Sequence, residues 1–99
     1  MDKARVCKNE KDVKREVKLI LDLIGAFYFM PPANAFGRAG ISDIIGLHNG
    51  KFFAIETKFG HNKPTPLQLK FGELVTTHGG LFIVINEANL GEAWEVAKW

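Results

Sequence analysis

Residues 43–58 read DIIGLHNGKFFAIETK, two largely apolar runs separated by Asn49-Gly50. This dipeptide is the strongest short signal for a β-hairpin, because a type I′ turn requires positive φ at both of its central residues. We therefore predict two antiparallel strands, Asp43–His48 and Lys51–Phe59, joined by a two-residue turn. The other elements of the fold are placed outward from this hairpin.

The register of the hairpin brings two carboxylates together. A two-residue turn pairs His48 with Lys51, and counting back along both strands then pairs Asp43 with Glu56. Directly opposed residues face the same side of a sheet, with Cβ atoms about 4.5–5.5 Å apart. Lys58 shares the face of Glu56, about 6.6 Å further along the strand.

Opposed carboxylates repel each other unless a cation lies between them. Carboxylate oxygens suit hard ions such as Mg²⁺ or Mn²⁺. A bound ion polarises a phosphoryl oxygen and lowers the pKa of a bound water. Lys58 could then orient that water or stabilise the charge that develops on the phosphate. A cation site beside a lysine is therefore the arrangement that phosphodiester hydrolysis needs.

A purely structural explanation of the same residues stays open. Asp43 can simply begin a strand, while Glu56 and Lys58 can belong to a solvent-exposed sheet face. That face also carries Phe52 and Ala54, so it is not a plain polar surface. The acids lie toward the strand ends, beside a glycine-containing loop, where functional sites tend to occur.

Periodicity and capping residues place the remaining elements. A first helix over Asn9–Ile24 has one apolar stripe at helical spacing, and a second helix begins at Thr65 with a capping box completed by Gln68. Further strands are predicted over Ala26–Met30 and Leu81–Ile85, and a short final helix over Asn89–Lys98. This order predicts an α/β fold with an α-β-β-β-α-β core, a mixed central sheet flanked by helices, and a short C-terminal helix.

Composition narrows the class of protein but not its function. The chain of 99 residues is 46% hydrophobic and 24% charged, as in ordinary globular proteins, and we predict one domain over residues 1–99. No run approaches the ~20 apolar residues of a membrane span. Cys7 is the only cysteine, which excludes an internal disulfide and favours a reducing cytoplasm. The net charge of +2 tolerates a nucleic-acid partner without arguing for one.

Several further polar residues are candidates for a site or its surroundings. Glu10 falls on the buried stripe of the first helix, where a carboxylate is costly unless it is paired or bound to an ion; the alternative is a first-turn acid favoured by the helix dipole. Arg38, Lys63 and Lys70 are candidate DNA contacts through phosphate, although isolated basic residues are usually just solvated. His78 lies on the apolar stripe of the second helix and is predicted to be a core histidine.

Taken together, these residues resemble the PD-(D/E)XK nuclease superfamily, and most closely its VRR-NUC family. The resemblance rests on Glu10 in the first helix, on GRAGISDII at Gly37–Ile45, and on FAIETK at Phe53–Lys58. Gln68 in the second helix and Gly79-Gly80 before the last strand complete the ordered set. The resemblance covers nearly the whole chain, and the set at these spacings is fairly specific.

This resemblance implies a restriction-endonuclease-like core and Mg²⁺- or Mn²⁺-dependent cleavage of DNA. The implied catalytic residues are Asp43, Glu56, Lys58 and Gln68, the last as support for the site. The implied metal ligands are Asp43, Glu56 and the backbone carbonyl of Thr57, with Glu10 completing the coordination. For Gln68, a purely structural role in the capping box stays an equal alternative.

One residue departs from the family pattern, because Ser42 stands where the family usually has proline before the aspartate. Its hydroxyl could bond locally to the backbone, but serine lacks the fixed φ of proline. Since serine contributes no ligand that must be displaced, we expect activity to survive the change.

The resemblance also implies partners, because stand-alone members look like homodimers that act on branched DNA such as four-way junctions. The aromatic residues exceed what one small core obviously needs, although core packing is their default role: Phe29, Phe36, Phe82 and Trp94. Two other functions stay open, a non-catalytic DNA-binding module of the same fold and a nuclease acting on other DNA or on RNA.

Overall fold

The computed structural model describes residues 6–32 and 37–99. Its elements follow the predicted order, with a 3₁₀ turn before the last helix. They are α1 (Glu10–Ile24), β1 (Phe27–Phe29), β2 (Ile44–His48), β3 (Lys51–Thr57), α2 (Pro66–Thr77), β4 (Leu81–Ile85), the 3₁₀ turn (Leu90–Trp94) and α3 (Glu95–Lys98). The predicted α-β-β-β-α-β order and the short C-terminal helix are therefore confirmed.

The sheet is mixed, with the strands in the order β1-β2-β3-β4. The first three strands are antiparallel, whereas β4 runs parallel to β3 after the crossover through α2. In the hairpin, His48 pairs with Lys51 and Ile44 with Ile55, which is the predicted register. The turn residues Asn49 and Gly50 have φ values of 53° and 79°, as a type I′ turn requires.

Helix α1 covers one face of the sheet. Capping residues define both of its ends, and its apolar stripe faces the sheet between them. The Asn9 side chain accepts a hydrogen bond from the Asp12 backbone N–H at 2.9 Å, and Gly25 ends the helix at a φ of 82°. The stripe of Val13, Val17 and Leu21 is fully buried. It packs in one cluster with sheet residues that include Phe53 and Ile55.

Helix α2 covers the other face. Val75 of this helix packs against Ala54 of β3 and Ile45 of β2 in a second, smaller cluster. Because side chains alternate along a strand, Glu56 points to the same side of β3 as Ala54. The prediction that Ala54 shares the face of Glu56 is confirmed, and Phe53 and Ile55 pack on the opposite face.

Three details differ from the sequence prediction at element ends. Strand β2 begins at Ile44, so Asp43 lies just before the strand, and β3 ends at Thr57 rather than Phe59. His78 is exposed at the C-terminal cap of α2, where the helix ends. The prediction of a core histidine is therefore wrong.

The C-terminal segment begins with a 3₁₀ turn because the Asn89 side chain does not cap a helix there. Its amide oxygen instead accepts a bond from the Asn86 N–H at 2.7 Å, and its amide nitrogen donates to the Val84 carbonyl and to Glu92, each at 3.0 Å. The α-helical part is thereby shortened to Glu95–Lys98. Over the described residues, none of the helices combines the length and apolarity needed to cross a membrane.

Candidate metal and catalytic site

Asp43 reaches the C-terminal end of β3 from the segment just before β2. Its Oδ2 accepts two hydrogen bonds from Thr57, one from the backbone N–H and one from the Oγ1 hydroxyl, both at 2.8 Å. Paired donors of this kind hold an ionised carboxylate in one orientation. Asp43 therefore contacts Thr57 while it also lies close enough to Glu56 to raise the pKa of that carboxyl, so the structure adds a contact at the strand end to the predicted pair.

Glu56 is a buried carboxyl group with an incomplete set of partners. Its side chain is only 1% exposed, and its Oε2 lies 3.5 Å from Lys58 Nζ. Its Oε1 finds no hydrogen-bond partner among residues 6–32 and 37–99. A buried polar atom without a partner is uncommon in folded proteins and is often found at functional sites.

The electrostatics of Glu56 reflect both burial and its neighbours. Burial, followed by repulsion from the nearby Asp43 carboxylate, raises the pKa of Glu56 to about 7 against the opposing effect of the Lys58 ammonium group. The repulsion between Asp43 and Glu56 that the register predicts is therefore present in the structure. An acid held in this way favours either a proton or a cation near neutral pH.

Lys58 is anchored by its backbone just beyond the last residue of β3. Its N–H donates to the Ile85 carbonyl at 2.9 Å, which continues the parallel pairing with β4 by one bond. The side chain is mostly buried, at 14% exposed, and its ammonium group faces Glu56. The structure therefore brings Asp43, Glu56 and Lys58 together.

Lys14 joins this group, although no sequence pattern singled it out. Its Nζ lies 3.9 Å from Asp43 Oδ1, so the carboxylate contacts a lysine from α1 as well as Thr57 from β3. The available signal was its place on α1, next to Val13 on the buried stripe and one turn after Glu10. A lysine at the edge of a buried stripe is poised to reach across to the sheet.

Glu10 is not brought into the same group. It is the partly buried first residue of α1, whereas Lys14, one turn later, is the α1 residue that reaches Asp43. In the part of the chain that the structure describes, no three His, Cys, Asp or Glu side chains form a group that could hold a metal ion. A role for Glu10 in metal binding stays a prediction.

Gln68 completes the capping box at the start of α2, which was one of the two roles predicted for it. Its Oε1 accepts a bond from the Thr65 N–H at 2.8 Å, and its own N–H donates to Thr65 Oγ1 at 3.2 Å. The same residue also lines a cavity of about 360 Å³ together with Lys14, Ser42 and Asp43. Because the capping bond uses only Oε1 of the side chain, the two roles are compatible.

The loop that carries Asp43 is held against the start of α2. Gly40 has a φ of +80°, and a Cβ at this position would lie 2.6 Å from the Leu67 backbone carbonyl carbon, so only glycine permits this approach. Ser42 is buried, but its hydroxyl has no partner among the described residues. Ser42 therefore does not make the local backbone bond that its hydroxyl allows, within the described part of the chain.

The three predicted phosphate contacts are all exposed but do not form one cluster. Arg38 and Lys70 line a shared cavity of about 230 Å³ between the loop and α2. Lys63 lies on the loop before α2 and is not part of that lining. Only Arg38 and Lys70 are therefore placed to act together.

The residues present fit a hard divalent cation held by two acids. Asp43 and Glu56 are close enough to repel each other, and Glu56 Oε1 has no other partner in the described part of the chain. Carboxylate oxygens are the ligands that Mg²⁺ and Mn²⁺ prefer. Mg²⁺ commonly binds proteins through one or two carboxylates and keeps several waters, so a third acid is not required.

Comparison with known proteins identifies the architecture. A solved structure described as a VRR_NUC domain superposes with a TM-score of 0.71 and 24% sequence identity, covering 90% of this chain and 97% of that one. No family model and no curated protein matches the sequence. The resemblance inferred from sequence motifs is confirmed at the level of the fold: this chain has the fold of a VRR_NUC domain.

Proposed function

We propose that this protein is a Mg²⁺- or Mn²⁺-dependent DNA endonuclease whose active site contains Asp43, Glu56 and Lys58. The observation that carries the proposal is the buried Glu56, which lies beside Asp43 and within 3.5 Å of the Lys58 ammonium group. A buried acid with a raised pKa next to a second acid is costly for stability, and such groups cluster at functional sites. The fold supports the same assignment.

Asp43 and Glu56 would hold the cation, with the Thr57 backbone carbonyl as a third ligand and Glu10 as a contributor to its wider coordination. When bound, the cation polarises a phosphoryl oxygen and lowers the pKa of a water molecule. Thr57 fixes the orientation of Asp43 through two 2.8 Å bonds. Preorganised ligands of this kind reduce the reorganisation needed during the reaction.

The lysines and Gln68 complete the proposed chemistry from the protein's side. Lys58 Nζ, held beside Glu56, would donate to a phosphoryl oxygen as negative charge develops there. Lys14 is 32% exposed at its side chain and lies next to Asp43, so it is available to contact a phosphate of the bound strand. The amide nitrogen of Gln68 would likewise donate to a phosphate oxygen, since the amide oxygen is used in the capping box.

The test is a cleavage assay on a panel of end-labelled nucleic acids. Linear, nicked, flapped and four-way DNA, together with a matched RNA, are incubated with the protein in Mn²⁺, in Mg²⁺ and in excess EDTA. We expect cleavage of DNA with either metal, strongest on branched forms, and none in EDTA. Undiminished cleavage in EDTA would contradict the proposed metal site. If the protein cleaves RNA and none of the DNA forms, the proposed DNA substrate is wrong.

We further propose that the active form is a homodimer, because a single domain carries one site whereas symmetrical cleavage of a four-way junction needs two. Among the aromatic residues considered for this role, Phe29 and Trp94 are exposed, Phe82 packs in the smaller cluster, and Phe36 lies outside the described residues. Light scattering at micromolar concentration should return twice the monomer mass of 11.0 kDa. A mass that stays at 11.0 kDa would exclude a stable dimer.

A further inference from the structure

A groove beside α2 remains unexplained by the two-acid site. We call it the α2 groove and define it by Arg38, Phe52, Lys70, Phe71 and His78. It consists of two adjoining cavities of about 510 and 230 Å³, which share Arg38, Phe71 and Leu74. The larger is within the size range of ligand-binding pockets.

The groove combines aromatic rings with basic side chains. Phe52 is 37% exposed on the face of β3, and Phe71 lies opposite on α2, where it lines both cavities. Arg38, Lys70 and His78 complete the polar part of the lining, and neither cavity includes an acid among its lining residues. A positively charged groove with aromatic platforms is the common architecture for binding single-stranded nucleic acid.

The distance between the candidate site and the α2 groove determines which nucleotides of a bound DNA strand could enter the groove. Gln68 lines the cavity that contains Asp43, and Phe71 and Val75 follow on the same helix. From Gln68 to Val75 is seven residues of helix, about 10 Å, which equals about three stacked nucleotides at 3.4 Å each. Arg38 belongs to the same loop as Asp43, so it links the groove to the site.

We propose that the α2 groove binds unpaired nucleotides of the substrate strand, within about three nucleotides of the phosphate that is cleaved. The inference rests on the proposed nuclease function and deepens it by naming the substrate class. Bases in a continuous duplex are stacked and paired, so they cannot reach the rings of Phe52 and Phe71 without being extruded. A flap, gap or frayed end supplies such bases at no cost in pairing, so among the branched forms those with unpaired bases next to the branch should bind this groove best.

The test uses flapped DNA that carries a fluorescent adenine analogue, 2-aminopurine, one to three nucleotides from the branch. Its emission falls when the base stacks on an aromatic ring. Binding is measured in EDTA, so that the result does not depend on cleavage. Wild type should quench the probe, whereas Phe52→Ala should bind the flapped DNA about tenfold more weakly and lose the quenching. Binding to fully paired DNA should be unchanged.

Two further variants separate stacking from folding. Phe52→Leu keeps an apolar side chain at the position and preserves the fold, yet it should lose the quenching because it removes the ring. Phe27→Ala is the matched control, since Phe27 is 66% exposed in the same cross-strand row through Leu47 but does not line the groove. It should quench as wild type does.

The outcomes distinguish this inference from the proposed function. Full quenching by Phe52→Leu, or equal quenching by flapped and fully paired probes, would overturn the groove assignment even if DNA cleavage in Mn²⁺ is intact. Quenching that depends on Phe52 without cleavage of any DNA would support the groove and reject the nuclease. If Phe52→Ala halves the mass in light scattering and leaves flap binding unchanged, the groove is an interface between two copies and the proposal fails.

Discussion

Glu56→Gln, Asp43→Ala and Lys58→Ala are each expected to reduce DNA cleavage by at least about 10²- to 10³-fold, the usual loss when one preorganised electrostatic group is removed from an active site. The first two changes remove a carboxylate that would hold the cation. Lys58→Ala removes the ammonium group that lies 3.5 Å from Glu56 and would meet the phosphate. Single-turnover cleavage in Mn²⁺ measures the loss without interference from product release.

Matched controls make the same kind of substitution, with the same change in charge, at residues outside the site. Glu73→Gln removes an exposed carboxylate of α2, and Lys98→Ala removes an exposed lysine of α3 that pairs only with Glu95 in the described structure. Both should cleave as wild type does, and circular dichroism should report the same fold for all five variants. Wild-type rates for Glu56→Gln would reject the assignment of the active site.

The hairpin was predictable because its information is local. Asn49-Gly50 fixes the turn, the turn fixes the register, and the register brings Asp43 next to Glu56. The register does not determine which neighbours a side chain contacts at the end of a strand. Asp43 accepts two bonds from Thr57. It can do so because it precedes β2, so the alternation of side chains along the strand does not fix its direction.

The Lys14 contact was not predictable in the same way, because it depends on tertiary packing. A helical wheel places Glu10 and Lys14 on the same side of α1, so periodicity alone cannot choose which of them meets Asp43. The choice depends on how far α1 extends past the sheet, and the structure selects Lys14. His78 also depends on tertiary packing, since its position on the stripe is apolar but it stands at the C-cap of α2, where it is exposed.

The second large effect concerns stability as a function of pH. The pKa of Glu56 is about 7 in the folded protein, against an ordinary value of 4.5, so the folded state binds more protons than the unfolded state between these values. Stability from this group is therefore fully present below pH 4.5 and is lost as pH rises through 7. The shift corresponds to about 3 kcal/mol of unfolding free energy, or roughly 12–24 °C in melting temperature for a domain of this size.

Metal should reverse this loss, because a cation that binds the folded state stabilises it by mass action. At pH 8, Mg²⁺ or Mn²⁺ should raise the melting temperature of wild type. At pH 5 a proton competes with the ion for the Glu56 carboxylate, so the increase should be small. Glu56→Gln carries no titrating group and lacks one ligand, so its stability should exceed that of the metal-free wild type at pH 8 and respond little to metal. Thermal melts of both proteins at pH 5 and pH 8, with and without metal, measure the difference directly, and subtracting the variant removes the contribution of every other titrating residue. Parallel pH profiles for the two proteins would show that Glu56 is not the strained acid of this site, and equal stabilisation of both by metal would place the cation elsewhere.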